Sequence, residues 1–228
     1  MCHPGKVVTI ATALFFNTPV FTADQVSPTE LNRAQQLVFI KDHLQGVPSG
    51  STLNYDFASE AKDIESYSDT VKVTVTGVVE EGKRNLEFDF LSGPRHIDFA
   101  PAVGYTGNPV IIHFLERDIS QMARETGGSN GYFRNRIRES FGRPTEVHDV
   151  KLAFQGKELD GTEVVVKPFT ADLNIANFGL YANKRYEFTF SDQVPGGIYR
   201  LHTLVPGESG AGVLIDEVLT FHQITPAI

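Results

Sequence analysis

The stretch VKVTVTGVVEEGKRNLEFDF, residues 71–90, alternates apolar and polar side chains on both sides of a glutamate-rich turn. Val71, Val73 and Val75 would share one face of an extended chain, because successive side chains of a strand point to opposite faces. The same alternation follows the turn and ends at Phe90. The stretch therefore predicts an antiparallel hairpin with one buried face and one face in water.

This period of two recurs along much of the chain. The other segments that follow it are residues 52–57, 96–99, 150–154, 164–166, 186–190, 198–205 and 213–224. We expect nine or ten strands in an α+β, β-dominated fold, built on a strongly curved antiparallel sheet or an incomplete barrel. No linker-like composition interrupts residues 24–228, so the sequence predicts a single domain over that range.

Two regions follow a helical period instead. Ser27 and Pro28 are typical of a helix start, and the apolar spacing after them predicts an N-terminal helix over residues 28–44. A second region opens with a capping Asn108 and is interrupted by a pair of glycines. It predicts a helical hairpin over residues 108–141, inserted between two β-rich halves.

The first 23 residues have the pattern of a secretion signal. Lys6 precedes a mostly apolar run over residues 7–16, and small residues stand before the first acidic residue, Asp24. The run is shorter than the ~20 apolar residues that a membrane anchor needs. We therefore predict a signal peptide over residues 1–23 and a periplasmic or secreted protein, with no membrane span after its removal.

The balance of charge argues against one class of partner. The chain has 28 acidic and 20 basic residues, a formal net charge of −8. Nucleic-acid binding needs a basic surface that displaces counterions from the phosphates, so we expect no nucleic-acid partner. Cys2 is the single cysteine and would leave with the signal, so the mature chain would have no thiolate ligand or disulfide. No cofactor is predicted.

Two residues of the predicted hairpin have the chemistry of an acid–base pair or of half a metal site. His113 and Glu116 are three residues apart, which places an imidazole and a carboxylate on one helical face. The alternative is an ordinary polar face, which every amphipathic helix needs. No further residue completes a ligand set, so no metal is predicted and an enzyme is the less favoured interpretation.

Arginine is concentrated in the same hairpin. Six of the eleven arginines lie between Arg117 and Arg143. Arginine is preferred over lysine for multidentate contacts with carboxylate or phosphate, which indicates an anion or lipid-headgroup site. The candidate ligand-binding residues are Arg124, Tyr132, Arg134, Arg138, His113 and Glu116. The alternative is that the arginines pair with acidic residues of the same segment, as helices often do at three- and four-residue spacing.

The hairpin also carries the most distinctive sequence. Its segments are residues 107–110 (Gly-Asn-Pro-Val), 114–116 (Phe-Leu-Glu), 126–128 (Thr-Gly-Gly) and 132–138 (Tyr-Phe-Arg-Asn-Arg-Ile-Arg). They resemble a family of exported proteobacterial proteins that has no assigned activity. In architecture alone, the signal, the N-terminal helix, the sheet and the inserted helices resemble periplasmic lipoprotein carriers, which are half-barrels that bind acyl chains. This resemblance implies a lipid-like ligand but rests on no shared motif.

Three functions are consistent with these patterns, and the sequence names no protein partner for any of them. The preferred one is a non-enzymatic envelope protein that binds a lipid or other amphipathic molecule in an apolar cavity with an arginine at its mouth. The second is an interaction or assembly module, which would expose a large apolar patch on the hairpin. The third is a metal-assisted hydrolase, in which His113 and Glu116 would converge with a further ligand in a cleft.

Overall fold

The computed structural model describes residues 30–62, 64–207 and 212–227. The strands in this part are β1 (Thr52–Ala61), β2 (Ile64–Val78), β3 (Arg84–Phe90), β4 (Ala102–Tyr105), β5 (Glu146–Phe154), β6 (Lys157–Val166), β7 (Arg185–Phe190), β8 (Ile198–Pro206) and β9 (Val213–Thr225). The helices are α1 (Arg33–Gln35), which continues as a π-helical turn (Gln36–Ile40), α2 (Val110–Thr126) and α3 (Asn130–Phe141). Short 3₁₀ turns cover Glu80–Gly82, Gly93–Arg95, Ile175–Asn177 and Gly179–Asn183. The predicted signal peptide lies outside the described residues.

All of these strands belong to one open, curved antiparallel sheet. Their order is β4-β3-β2-β1-β9-β8-β7-β6-β5, so two meanders meet at the central pair of β1 and β9. The predicted alternation sets the faces: Val71, Val73 and Val75 are fully buried, while Lys72 between them is exposed. The β-dominated α+β fold with a curved antiparallel sheet is confirmed.

The helical hairpin expected over residues 108–141 is confirmed as α2 and α3. The side-chain oxygen of Asn108 accepts a hydrogen bond from the N–H of Val110 (3.2 Å), and Gly127 ends α2 in the left-handed conformation. Because the pair connects β4 to β5, which are the two outer strands, it links opposite edges of the sheet. It packs on one face through an apolar stripe that includes Phe114, Met122 and, on α3, Phe133. None of the described helices is long and apolar enough to span a membrane.

The N-terminal helix is shorter than predicted. Its predicted start at Pro28 lies outside the described residues. Within them, residues 30–32 are not helical, the helix begins at Arg33 and it ends at Ile40, before the predicted end at residue 44. Asn32 explains this start, because its side chain accepts a hydrogen bond from the N–H of Gln35 (2.9 Å) in a capping box.

The strand predicted over residues 96–99 is wrong. Leu91 has a positive φ of 61° and turns the chain out of β3, and a 3₁₀ turn follows. In this segment Ile97 forms a single bridge to Phe90, and regular pairing with β3 resumes only at β4. We name residues 91–99 the edge segment. It forms one wall of a cleft beside α2.

The long connection between β6 and β7 packs on α3. The rings of Phe133, Phe169 and Phe178 form a cluster with centroids 4.9 to 5.8 Å apart. The hydroxyl of Tyr132 donates hydrogen bonds to the carboxylate of Asp172 at 2.7 and 2.8 Å. These contacts fix the connection against α3.

Candidate functional site

A cleft of about 630 Å³ lies between α2 and the edge segment, and we name it the α2 cleft. The residues that line it are Tyr67, Leu91, Pro94, Arg95, His96, Ile97, Phe99, Glu116, Arg117, Ser120, Gln121 and Arg124. The residues from α2 recur at three- and four-residue spacing, so they share one face of the helix. That face is adjacent to the buried stripe and forms the second wall.

The wall that the edge segment contributes is partly apolar. Leu91 is buried, and Ile97 and Phe99 are partly exposed. The ring of Phe99 packs edge-on against Phe90 (centroids 5.2 Å apart), which anchors the wall to β3. The cleft therefore offers apolar surface to part of a bound molecule.

Two exposed guanidinium groups stand on the rim of the α2 cleft. Arg95 stacks over the ring of Tyr67, with its guanidinium carbon 3.9 Å from the ring centroid. Arg124 lies in the last turn of α2 and is exposed. Within the described part of the chain neither arginine forms an ion pair, so both are available to a bound anion. The cleft combines an apolar wall with a cationic rim.

Arg117 closes the inner end of the cleft but is already paired. Its guanidinium donates to both carboxylate oxygens of Glu217 on β9 (2.6 and 3.0 Å) and to the hydroxyl of Tyr67 (2.9 Å). Burial acts against the charged guanidinium, but the hydrogen bonds and negative charge of Glu217 outweigh it and raise the pKa of Arg117. Burial likewise opposes ionisation of Glu217, and Arg117 reverses that effect and lowers the pKa of Glu217. This ion pair ties α2 to the centre of the sheet.

A second buried ion pair lies next to the first. Asp118 and Lys184 are almost fully buried, with the ammonium nitrogen 2.5 Å from a carboxylate oxygen. The other carboxylate oxygen accepts a hydrogen bond from the hydroxyl of Tyr186 on β7. Burial and the charge of Asp118 raise the pKa of Tyr186 well above its usual value, so this phenol stays protonated. The pair holds α2 to the β7 side of the sheet.

His113 backs the α2 cleft without entering an acid–base pair. Its ring stacks on Phe99 (centroids 3.9 Å apart) and meets Phe88 edge-on (4.3 Å). The buried ring nitrogen Nε2 has no hydrogen-bond partner among the described residues. Burial lowers the pKa of His113 to about 4, against an opposing effect of Glu116. The imidazole is therefore neutral near pH 7 and supports the apolar wall from behind, through its contact with Phe99.

The lowered pKa of His113 makes the free energy of unfolding depend on pH. Its folded-state pKa of about 4 lies below the usual 6.5, so the unfolded chain takes up the proton first as the pH falls. We expect this group to lower the free energy of unfolding by about 2 kcal/mol between roughly pH 6.5 and pH 4, after discounting its partial exposure. The variant His113→Phe keeps a ring against Phe99 but binds no proton. Urea unfolding at several pH values should show a smaller acid loss for this variant, and an equal loss in both proteins would contradict the assignment.

Glu116 is engaged by the second helix of the hairpin. Arg134 donates two hydrogen bonds to its carboxylate, both at 2.6 Å, and this bidentate pair links α3 to α2 at the surface. Glu116 is not hydrogen-bonded to His113 among the described contacts. The described residues contain no group of three or more side chains placed to hold a metal ion. The arrangement gives the hydrolase hypothesis no geometric support.

The structure separates the predicted ligand-binding residues into two groups. Arg124 and Glu116 line the α2 cleft, with Arg134 reaching Glu116 from α3. Tyr132 binds Asp172 on the opposite side of α3, and Arg138 donates to the side chain of Asn135 (3.0 Å). Internal pairing, the alternative stated above, accounts for several arginines: Arg117, Arg134, Arg136 and Arg143 each contact a carboxylate.

The sequence interpretation did not identify the buried ion pairs that hold α2 against the sheet. Asp118 is four residues from both Phe114 and Met122, so it occupies a position of the apolar stripe. A carboxylate at such a position is a signal that a buried partner exists. The partner Lys184 follows a 3₁₀ turn and has no comparable local signal. Arg95, the second rim arginine, directly precedes the segment that was predicted as a strand, and no local pattern singles it out.

Comparisons with known proteins give only distant similarity. No family model matches the chain, and no curated protein matches it significantly. Among solved structures, the chain is similar to the Mycobacterium tuberculosis lipoprotein LppX, with 9% identity, a TM-score of 0.37, and coverage of 89% of this chain and 98% of that chain. It is also similar to LprF from Mycobacterium bovis (10% identity, TM-score 0.34, 86% and 94% covered). A third is a LolA-superfamily protein from Nitrosomonas europaea (12% identity, TM-score 0.28, 86% and 94% covered). A likeness this distant supports no conclusion about ligand or activity.

Proposed function

We propose that this protein is an exported, non-enzymatic binding protein whose α2 cleft holds an anionic amphipathic molecule. The observation that carries the proposal is the composition of the cleft, which combines the apolar wall of Leu91, Ile97 and Phe99 with two exposed guanidinium groups. Arg95 belongs to the same edge segment as that wall, and Arg124 belongs to α2. An acyl chain or other apolar body would lie on the wall. A carboxylate or phosphate at its end would contact the rim.

The dimensions of the cleft suit such a ligand. Its volume of about 630 Å³ falls within the roughly 300–1,000 Å³ typical of small-molecule sites. Its opening toward solvent allows the polar end of the ligand to stay hydrated. Arg117 does not serve as a headgroup contact in this proposal, because Glu217 and Tyr67 already occupy its donors. Export through residues 1–23 is part of the proposal, and would bring the protein to the lipids of the envelope.

The rim arginines are expected to determine affinity for the charged end of the ligand. The protein would be expressed with its leader, recovered from the periplasm without detergent, and titrated with a fluorescent fatty acid in solution. Arg124→Ala and Arg95→Ala should each weaken binding about five- to tenfold, because each removes one charge-assisted hydrogen bond from a partly exposed site. Arg138→Ala is the matched control, since Arg138 is an exposed arginine on α3 that does not line the cleft.

The same protein preparation can be used to identify the natural ligand. Extraction with organic solvent followed by mass spectrometry should recover an anionic amphipath in a fixed ratio to protein. If the Arg124→Ala and Arg138→Ala variants bound the fatty acid with equal affinity, the α2 cleft would not be the binding site. A wild-type protein that carries nothing and takes up no fatty acid would overturn the proposed function.

A further inference from the structure

Most of the polar side chains that line the α2 cleft already have a partner inside the protein. Those with a side-chain hydrogen bond among the described residues are Tyr67, His96, Glu116, Arg117 and Gln121. Three polar lining residues form neither a side-chain hydrogen bond nor an ion pair in this part of the chain: Arg95, Ser120 and Arg124. These three side chains are therefore available to a bound molecule.

Two of the three share one face of α2. Ser120 and Arg124 are four residues apart, so the hydroxyl and the guanidinium follow each other along the helix, one turn apart. A serine inside a helix often uses its hydroxyl to bond the carbonyl of the preceding turn. Ser120 is partly exposed and forms no such bond among the described contacts. This face of α2 therefore offers a hydroxyl and a guanidinium to the cleft.

The third group belongs to the edge segment. The guanidinium of Arg95 stacks on the ring of Tyr67, and stacking leaves the N–H groups at its edge free to donate in their own plane. Asp69 is near enough to be affected by the charge of Arg95, but the two form no ion pair within the described structure. The carboxylate of Asp69 instead accepts hydrogen bonds from the backbone N–H groups of Thr70 (2.8 Å) and Ser92 (3.0 Å). The cleft therefore has available donors on both of its walls.

This set of donors distinguishes between anionic headgroups. A carboxylate has two oxygens, and a single guanidinium can bind both of them. It would leave the second arginine and the hydroxyl of Ser120 without a partner. A phosphate monoester has three terminal oxygens and a charge of about −1.5 to −2 near pH 7. Two guanidinium groups and one hydroxyl therefore match a phosphate monoester more fully than a carboxylate.

We infer that the ligand of the α2 cleft is a phosphate monoester with an apolar chain, and that Ser120 helps to select the phosphate over a carboxylate. Arg95 and Arg124 bind the phosphate from the two walls, and Ser120 donates its hydroxyl to a further oxygen. The chain lies on the apolar wall of the edge segment. This inference rests on the proposed function and makes it more specific by naming the headgroup.

Competition for the fluorescent fatty acid tests the inference on the full protein recovered from the periplasm. The competitors are decanoate, decyl phosphate and inorganic phosphate. We expect decyl phosphate to bind at least about tenfold more tightly than decanoate, because it gains the second guanidinium and the hydroxyl. Inorganic phosphate should compete far more weakly than decyl phosphate, since it has no chain for the apolar wall.

The variant Ser120→Ala separates the hydroxyl contact from the effect of charge alone. We expect it to weaken the binding of decyl phosphate about fivefold and the binding of decanoate less than about twofold. Gln121→Ala is the matched control, because Gln121 also lines the cleft but its amide donates to Glu125 (3.0 Å). Both ligands should bind this control nearly as tightly as they bind the wild-type protein.

The outcomes distinguish this inference from the proposed function. If decyl phosphate bound no more tightly than decanoate, or if Ser120→Ala weakened both ligands equally, the phosphate headgroup would be overturned and the proposed function would stand. If the wild-type protein bound neither decanoate nor decyl phosphate, the proposed function would be overturned as well. Inorganic phosphate that competed as strongly as decyl phosphate would show recognition of the free anion and would overturn the amphipathic ligand.

Discussion

Replacing Lys184 with methionine is expected to lower the free energy of unfolding by about 3–5 kcal/mol. Methionine has nearly the length of lysine and keeps the apolar contacts of its stem, so the change removes mainly the charge. Asp118 is only 2% exposed, and its carboxylate would be left inside the protein with the hydroxyl of Tyr186 as its partner. A buried charge that loses its partner costs far more than the pair contributed, because water cannot replace the partner.

Urea unfolding followed by circular dichroism measures this loss directly. Lys72→Met is the matched control, since Lys72 pairs with Asp89 at 3.3 Å on the exposed face of the sheet, where an ion pair contributes less than about 1 kcal/mol. The double variant Lys184→Met, Asp118→Leu removes both buried charges and should recover a large part of the loss. Similar losses for Lys184→Met and Lys72→Met would show that the buried pair is not as the structure places it.

Replacing Arg117 with methionine is expected to cost about 3 kcal/mol at neutral pH. Glu217, which is buried on β9, would keep a hydrogen bond from Ser59 (3.1 Å) but lose both bonds from the guanidinium. In the wild-type protein Arg117 keeps the pKa of Glu217 low; without it, burial would raise that pKa above the usual value. A raised folded-state pKa means that the penalty is greatest when the carboxylate is ionised. The difference between the two proteins should therefore shrink as the pH falls and Glu217 takes up a proton.

The pH dependence distinguishes a lost ion pair from a simple loss of packing. Arg134→Met is the matched control: Arg134 forms a bidentate contact with Glu116, with both bonds at 2.6 Å, but at the surface, so we expect a loss below about 1 kcal/mol. The variant Arg117→Met combined with Glu217→Gln should be more stable than Arg117→Met alone near neutral pH. A loss for Arg117→Met that stays constant from neutral to acid pH would contradict the role given to Glu217.

Local patterns in the sequence were enough to predict most of the elements. The alternation around Val71 and Phe90 gave the faces of β2 and β3, and Asn108 with Gly127 marked the limits of α2. These features depend on residues a few positions apart, where side-chain periodicity and capping act directly. The N-terminal helix begins later than predicted because Asn32 caps it. Residues 96–99 do not form a strand because a 3₁₀ turn precedes them and interrupts the pairing with β3.

The candidate site was predictable only in part. Arg124 and Glu116 were singled out because arginine and carboxylate are concentrated in the hairpin, and both line the α2 cleft. Tyr132 and Arg138 belong to the same local pattern but lie elsewhere on α3, since a helix carries side chains on every side. Arg95 enters the cleft from the other wall, which no helical pattern could indicate.

The sequence by itself determined which face of β2 and β3 is buried, where α2 begins and ends, and that the fold is a β-dominated antiparallel one. The tertiary structure alone decided which distant residues meet. Arg117 and Glu217 are 100 residues apart and Asp118 and Lys184 are 66 apart, and each pair forms because the hairpin connects the two edges of the sheet and crosses its face. The alternation of side chains is fixed by backbone geometry within a few residues. Contacts across such distances depend instead on the order of the strands, which local propensity does not encode.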